Sequence, residues 1–352
     1  MGTRFLSLAL RLLALCSSAE PERGYRSDEE WNWLHDVVPV GKSIGVSPRV
    51  ADRDRRLSCM GFSPKDQPDQ FVHAVDLLRR EALVASSIDG LAEVDAVAMI
   101  SIDRKSPATE AYVFTALRSV FDAFAGDLHV NVLIGNDDAA YLSQQALAKA
   151  LGSERAARVH PLPASPEQAQ FLRQQEKAWS AAERAAWNYA RALRSHRGPG
   201  HLLVFEDDVL VARHAERALH RWLADERSAV ISLYNIFGER LPGASLRPKE
   251  ELALVAYPAG AIDRTFGRTQ GMLLAKDDAQ EIGRFIALRL GRAPYDTLMD
   301  EWMRLHGKSL AYAQPSMVQH IGRRGTGLGA FHESAYFVDD FASIDSCRRG
   351  PR

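Results

Sequence analysis

The chain is 352 residues long, 46% apolar and 25% charged, enough for one large globular domain or two smaller ones with a sizeable core. Its 44 Lys and Arg balance 45 Asp and Glu, so it lacks the basic footprint of a nucleic-acid binder. Its three cysteines, Cys16, Cys59 and Cys347, have no CxxC or other metal-site spacing; if the N-terminus is cleaved, Cys59 and Cys347 remain to pair.

Elements follow in chain order from hydrophobic period and turn residues. In residues 1–19, Arg4 precedes an apolar stretch from Phe5 to Cys16, and Ser17-Ser18-Ala19 supplies small residues for cleavage. That pattern resembles a secretory signal or short anchor, which would associate the chain with a membrane and place it in the secretory pathway. Arg11 interrupts the stretch, which falls short of the roughly 20 residues of a membrane span. The other reading is an amphipathic leading helix on a cytoplasmic protein. Residues 20–70 are rich in charge, Pro and Gly and read as an irregular extension with one aromatic cluster, Trp31 to Leu34. Phe71–Ile88 has helical spacing and completes an N-terminal region over 20–93.

Val94–Ile102 predicts a strand, Thr109–Phe124 a helix, and His129–Ile134 a second strand. That strand ends in Gly135-Asn136-Asp137-Asp138 and leads to a helix over Tyr141–Leu151. Val159–Leu162 is a short third strand, and 165–195 a long polar helical region broken near Arg197-Gly198-Pro199-Gly200. His201–Phe205 and Ala229–Tyr234 are further strands. Strands alternating with helices predict one α/β domain over 94–345 with a largely parallel sheet covered on both faces.

The strand at 201–205 runs into Glu206-Asp207-Asp208 before apolar residues resume. Adjacent carboxylates are costly to desolvate without a cation, so this is either a solvated corner or a cation site. Ligands gather beyond the C-terminal ends of strands in open α/β sheets, and oxygen donors suit Mg²⁺ or Mn²⁺ shared with a diphosphate. Tyr295–Leu305 reads as an amphipathic helix with Leu298, Met299, Trp302 and Leu305 on one face and Asp296, Asp300 and Arg304 on another. The acidic face is either a surface stripe with an Asp300–Arg304 pair or the source of a general base. A proline-led turn then introduces a short strand, Val318-Gln319-His320, whose histidine is either a packed residue or a ligand. Gly322-Arg323-Arg324-Gly325-Thr326-Gly327 is a cationic loop, either exposed or able to bind a diphosphate through arginine.

The order LLVFEDDV, YDTLMDEW, AQPSMVQHIG resembles the N-acetylglucosaminyltransferase IV family and the related GPI-anchor N-acetylgalactosamine transferase. The similarity runs from about Val94 to Phe341 and includes the helix QEKAWSAAERAAWNYARAL. The resemblance implies a GT-A-type, Rossmann-like mixed sheet flanked by helices, a UDP-sugar donor, Mn²⁺ (or Mg²⁺), and inversion at the anomeric carbon. It also implies a glycan, glycoprotein or glycolipid acceptor and a Golgi setting. Asp208 would then bind the metal, with His320 completing the metal or diphosphate site. Glu206 and Asp207 would orient the ribose and the ion's water shell. Asp300 would be the base, with Glu301 in reserve. Ser101, Asp103 and Arg104 would lie near the nucleotide, and Arg323 and Arg324 near the diphosphate. Where the family carries small hydroxyl residues after the QHIG turn, this chain has Arg323 and Arg324. Two other readings remain: a lipopolysaccharide-type GT-A transferase, and an inactive nucleotide-sugar-binding protein.

Overall fold

The structure is a computed structural model, and it describes residues 77–78, 81–102, 112–135, 139–173, 181–225, 230–235, 253–258, 269–291, 293–322, 334, 337 and 339–341. Residues 1–76, with the signal-like segment, the WNWL cluster, Cys16 and Cys59, lie outside them, as does Cys347. Among the described residues no helix is long and apolar enough to cross a membrane.

The strands are β1 (Ser87–Ile88), β2 (Val94–Ser101), β3 (Gly126–Asp127), β4 (Val130–Ile134), β5 (Val159–Leu162) and β6 (His201–Glu206). They continue with β7 (Val209–Val211), β8 (Val230–Ser232), β9 (Ala253–Pro258), β10 (Gly271–Leu274), β11 (Ser309–Gln314) and β12 (Val318–His320). The helices are α1 (Tyr112–Ala123), α2 (Gln144–Leu151), α3 (Ser153–Ala157), α4 (Pro166–Arg173), α5 (Ala181–Ser195), α6 (Ala215–Asp225), α7 (Lys276–Ala287) and α8 (Tyr295–Leu305).

Among the described residues, eight strands form one mixed sheet in the order β5-β4-β2-β6-β10-β8-β11-β9. The pairings β5–β4, β4–β2, β2–β6 and β8–β11 are parallel, so only β10 and β9 run against the rest. This is the α/β architecture, a largely parallel sheet flanked by helices, that the alternation of strands and helices predicts. Two small ribbons stand apart, β1 with β3 and β7 with β12, both antiparallel.

The central strands are apolar throughout because both faces are covered. Val97 and Met99 of β2 and Leu203 and Phe205 of β6 point into one core with Val113, Leu117 and Val120 of α1. Ala96, Ala98 and Ile100, with Leu202 and Val204, point into the other with α5, α7 and α8. Alternation at period two thus feeds two cores from the same strands. The predicted helix over 141–151 begins later: Ala140–Leu142 is a 3-10 turn, and Ser143 caps α2 by accepting from the Ala146 N–H at 3.3 Å.

Two expectations change. The helix predicted over 71–88 does not reach 88: residues 81–86 are irregular and Ser87–Ile88 is a strand. Long-range bonds claim that backbone, from Leu83 N–H to Ser195 O (3.1 Å) and between Val84 and the Asn131 side chain (2.9 and 3.0 Å). The region read as polar, 165–195, contains two helices, and α5 is buried from Ala185 onward, polar side chains included. Its Arg191, fully buried, donates from Nη2 to both oxygens of Glu81 (2.9 and 3.2 Å) and to the carbonyls of Leu162 and Pro163 (3.0 and 2.8 Å). A satisfied buried guanidinium therefore fastens the segment before β1 to the body.

Candidate active site at the strand ends

β4 and β5 extend the sheet to one side of β2, and β6 begins its other half, so the strand order reverses between β2 and β6. A crevice opens beyond the C-terminal ends of two such strands, the usual ligand position in open α/β sheets. Ile100 is in register with Glu206, so the next residues, Ser101 and Asp207, meet at that point. Asp207 Oδ2 accepts from Ser101 Oγ and from the Ile102 N–H, each at 3.0 Å. Both side chains are buried. Asp207 therefore clasps the two strand ends together.

The next residue turns the other way. Asp208 is buried and its Oδ2 lies 2.9 Å from His320 Nε2. Its carbonyl accepts from the Ile321 N–H at 2.8 Å, and His320 is in register with Val209 in the β7–β12 ribbon. The ribbon is why residues so far apart in sequence meet. Gly271 at the start of β10 lets it sit close: a Cβ there would lie 2.7 Å from Val318 Cγ2.

Glu206 occupies the third direction. Its Oε1 accepts from Tyr295 Oη (2.7 Å) and Thr269 Oγ1 (2.8 Å). Burial, and then the charge of Asp208, push its carboxyl up to about 7, against the pull of those two bonds and of His320. Tyr295 stacks on Tyr189 of α5, ring centroids 4.6 Å apart, so the first residue of α8 is fixed against the corner. Burial and then the Glu206 charge hold the Tyr295 phenol well above its ordinary range, which keeps it a hydrogen-bond donor.

The structure thus brings together Ser101, Glu206, Asp207, Asp208 and His320. Asp300 and Glu301 are buried in α8, five and six residues beyond Tyr295. The Asp300–Arg304 pair exists at 3.6 Å, but Asp300 is 2% exposed, so the reading of a surface stripe does not hold. Leu305, assigned to the apolar face, is 61% exposed. Helix α8 is buried on all sides over Thr297–Met303, and its last turn emerges. Asp103, Arg104, Arg323 and Arg324 lie outside the described residues. Tyr295, Thr269 and Tyr141 join the site without having been singled out. Tyr295 opens the YDTLMDEW motif and was legible there; nothing local marks Thr269.

Among the described residues, no three His, Cys, Asp or Glu side chains converge as a metal centre on their own. Asp208 and His320 form an oxygen and nitrogen donor pair, and the Asp208 charge adds to burial in raising the neighbouring Glu206 carboxyl. That donor set fits a divalent ion that takes its remaining ligands from substrate phosphate and water.

No family model and no curated protein matches the chain. Among solved structures, the galactosyltransferase LgtC, in complex with donor and acceptor sugar analogues, is similar over 62% of this chain and 72% of its own, at 15% identity and a TM-score of 0.39. A Bacillus anthracis protein described as a putative glucose-1-phosphate thymidylyltransferase, in complex with a sucrose, matches over 73% and 96% at 8% identity and a TM-score of 0.37. These are distant likenesses of fold to sugar- and nucleotide-transferring enzymes and assign no family.

Proposed function

We propose that the chain is a metal-dependent, inverting glycosyltransferase that moves a GlcNAc- or GalNAc-type sugar from a UDP-sugar to a glycan, glycoprotein or glycolipid hydroxyl. The observation that carries this reading is the meeting of Asp208 and His320, from separate elements, beside a crowded Glu206 at the strand-order reversal. The N-acetylglucosaminyltransferase IV-like placement rests on the three sequence motifs, and a secretory-pathway or Golgi setting rests on residues 1–19.

In this reading Asp208 and His320 hold Mn²⁺ or Mg²⁺, which supplies Lewis-acid neutralisation of the departing diphosphate. Asp207 keeps the ends of β2 and β6 in register under the nucleotide. Glu206, held by Tyr295 and Thr269, presents a carboxyl to the donor's hydroxyls. Asp300 accepts the proton of the acceptor hydroxyl as the new glycosidic bond forms on the face opposite the leaving diphosphate, with Glu301 in reserve. Arg323 and Arg324 add positive charge to the leaving group.

The test is UDP release across a panel of UDP-sugars, with and without Mn²⁺, by the wild-type chain and by Asp208→Ala. Turnover that needs the ion and collapses in the variant supports the reading. Turnover indifferent to both chelation and the substitution removes the metal role. UDP binding without turnover on a broad acceptor array indicates a nucleotide-sugar-binding protein instead.

A further inference from the structure

The polarity of one hydrogen-bond chain is fixed by its buried end. Asp207 Oδ2 accepts the Ile102 N–H at 3.0 Å, so it is an acceptor oxygen, and the 3.0 Å bond to Ser101 is donated by the Ser101 hydroxyl. A hydroxyl has one proton. The 2.9 Å contact between Ser101 Oγ and Tyr141 Oη is therefore donated by tyrosine, which commits the phenol proton inward. Towards any other group, Tyr141 Oη can only accept.

Tyr141 is half-buried in the 3-10 turn after β4 and packs against the core that contains Val113, Leu117 and Val120. It therefore stands on the β4 side of the crevice at the ends of β2 and β6. From this placement and this polarity we infer that Tyr141 is a nucleoside-reading residue, whose oxygen accepts a hydrogen bond from an N–H or O–H donor on the nucleoside half of the sugar donor. Ser101 and Asp207 are positioning residues that set that polarity and do not themselves touch the ligand. This rests on the nucleotide-sugar reading above and gives a supporting part to Ser101 and Asp207, which the family resemblance sets at the nucleotide. The donor group is either the imide N–H of a uracil or a ribose hydroxyl, the two donors a uridine nucleotide offers.

The experiment is calorimetric binding, on the full chain with Mn²⁺, of UDP, 2′-deoxy-UDP, 3′-deoxy-UDP and N3-methyl-UDP to wild type, Tyr141→Phe and Ser101→Ala. Tyr141→Phe keeps the ring, and thermal melts confirm folding. The wild type is expected to bind one analogue about five- to tenfold more weakly than UDP, and the identity of that analogue tells ribose from base. Tyr141→Phe is expected to bind UDP weaker by a similar factor and to treat that analogue and UDP alike. Ser101→Ala, which frees the phenol to rotate, is expected to keep most of the affinity and lose part of the discrimination, a readout that a merely structural role would leave alone. A wild type that binds UDP, with a Tyr141→Phe variant discriminating as the wild type does, overturns this inference and leaves the functional reading standing. A wild type that binds no uridine nucleotide overturns both.

Discussion

Two aspartate–histidine pairs lie at opposite ends of the same sheet, and their surroundings separate them. At the start of β2, Asp95 Oδ1 is 3.3 Å from His196 Nε2, while Oδ2 accepts the Gly200 N–H at 2.8 Å and the Gly200 carbonyl lies 3.0 Å from the same histidine nitrogen. A Cβ on Gly198 would collide with the Asp95 carboxylate, so the turn is wrapped around it. At the other end, Asp208 and His320 meet at 2.9 Å next to a second carboxyl, Glu206, which is pushed up to about 7. The first pair is closed by its own backbone turn. The second adds like charge at the position where ligands bind. An Asp–His contact alone therefore identifies nothing; the neighbouring charge and the place in the sheet do.

The largest effect expected breaks this comparison directly. Asp208→Asn is expected to lower metal-dependent kcat by on the order of a hundred- to thousandfold with little change in thermal midpoint. Asp95→Asn is expected to do the reverse, lowering the midpoint while sparing turnover per folded molecule. Parallel kinetics and melts on the two variants check it, and equal loss of kcat in both would erase the distinction.

A buried charge near the crevice but outside its chemistry makes the second contrast. Arg191 holds Glu81 and the carbonyl ends of β4 and β5, and removing Glu81 leaves its fully buried charge short of a counter-ion. Glu81→Ala is expected to cost about 3 kcal/mol in urea unfolding with kcat unaltered. Gly271→Ala should couple stability and activity. Its methyl meets Val318, two residues before His320, so a loss of about 1–3 kcal/mol is expected together with weaker Mn²⁺ activation. Unchanged Mn²⁺ dependence would mean that the ribbon yields without moving His320.

How much of this was legible in the sequence depended on the range of the interaction. β4, β5, α8 and β12 emerge from apolar period and turn residues because each is specified within a few neighbouring positions. Asp208 and His320 could be nominated from motif order, but only the β7–β12 register joins them. The burial of Asn188, Arg191 and Arg194 in α5 was hidden, since a polar helix reads as exposed until partners such as Glu81 arrive from elsewhere in the chain. Thr269 and Tyr141 were hidden likewise: each acts through long-range hydrogen bonding that leaves no local period.

The smallest effect sharpens the comparison from the sheet's edge. His129 Nδ1, just before β4, lies 2.8 Å from His160 Nε2 of β5, with Asp127 Oδ1 3.3 Å from His129 Nε2 and Ser86 bonded to the His129 backbone. A proton on His160 is opposed by burial first and then by the neighbouring His129, and its pKa is lowered from 6.5. A base lowered on folding binds fewer protons in the native state, so its contribution is complete above 6.5 and is lost as pH falls from 6.5 towards the lowered native value. Between about pH 7.5 and about pH 5.5 the wild-type midpoint should fall by ~2 °C more than that of His160→Gln, because β5 is an edge strand and yields locally. Amide exchange should show the loss confined to β4 and β5. Parallel pH profiles for the two proteins would mean that the imidazole pair is bystander packing, and it would then fall with Asp95 and His196 on the structural side of the comparison.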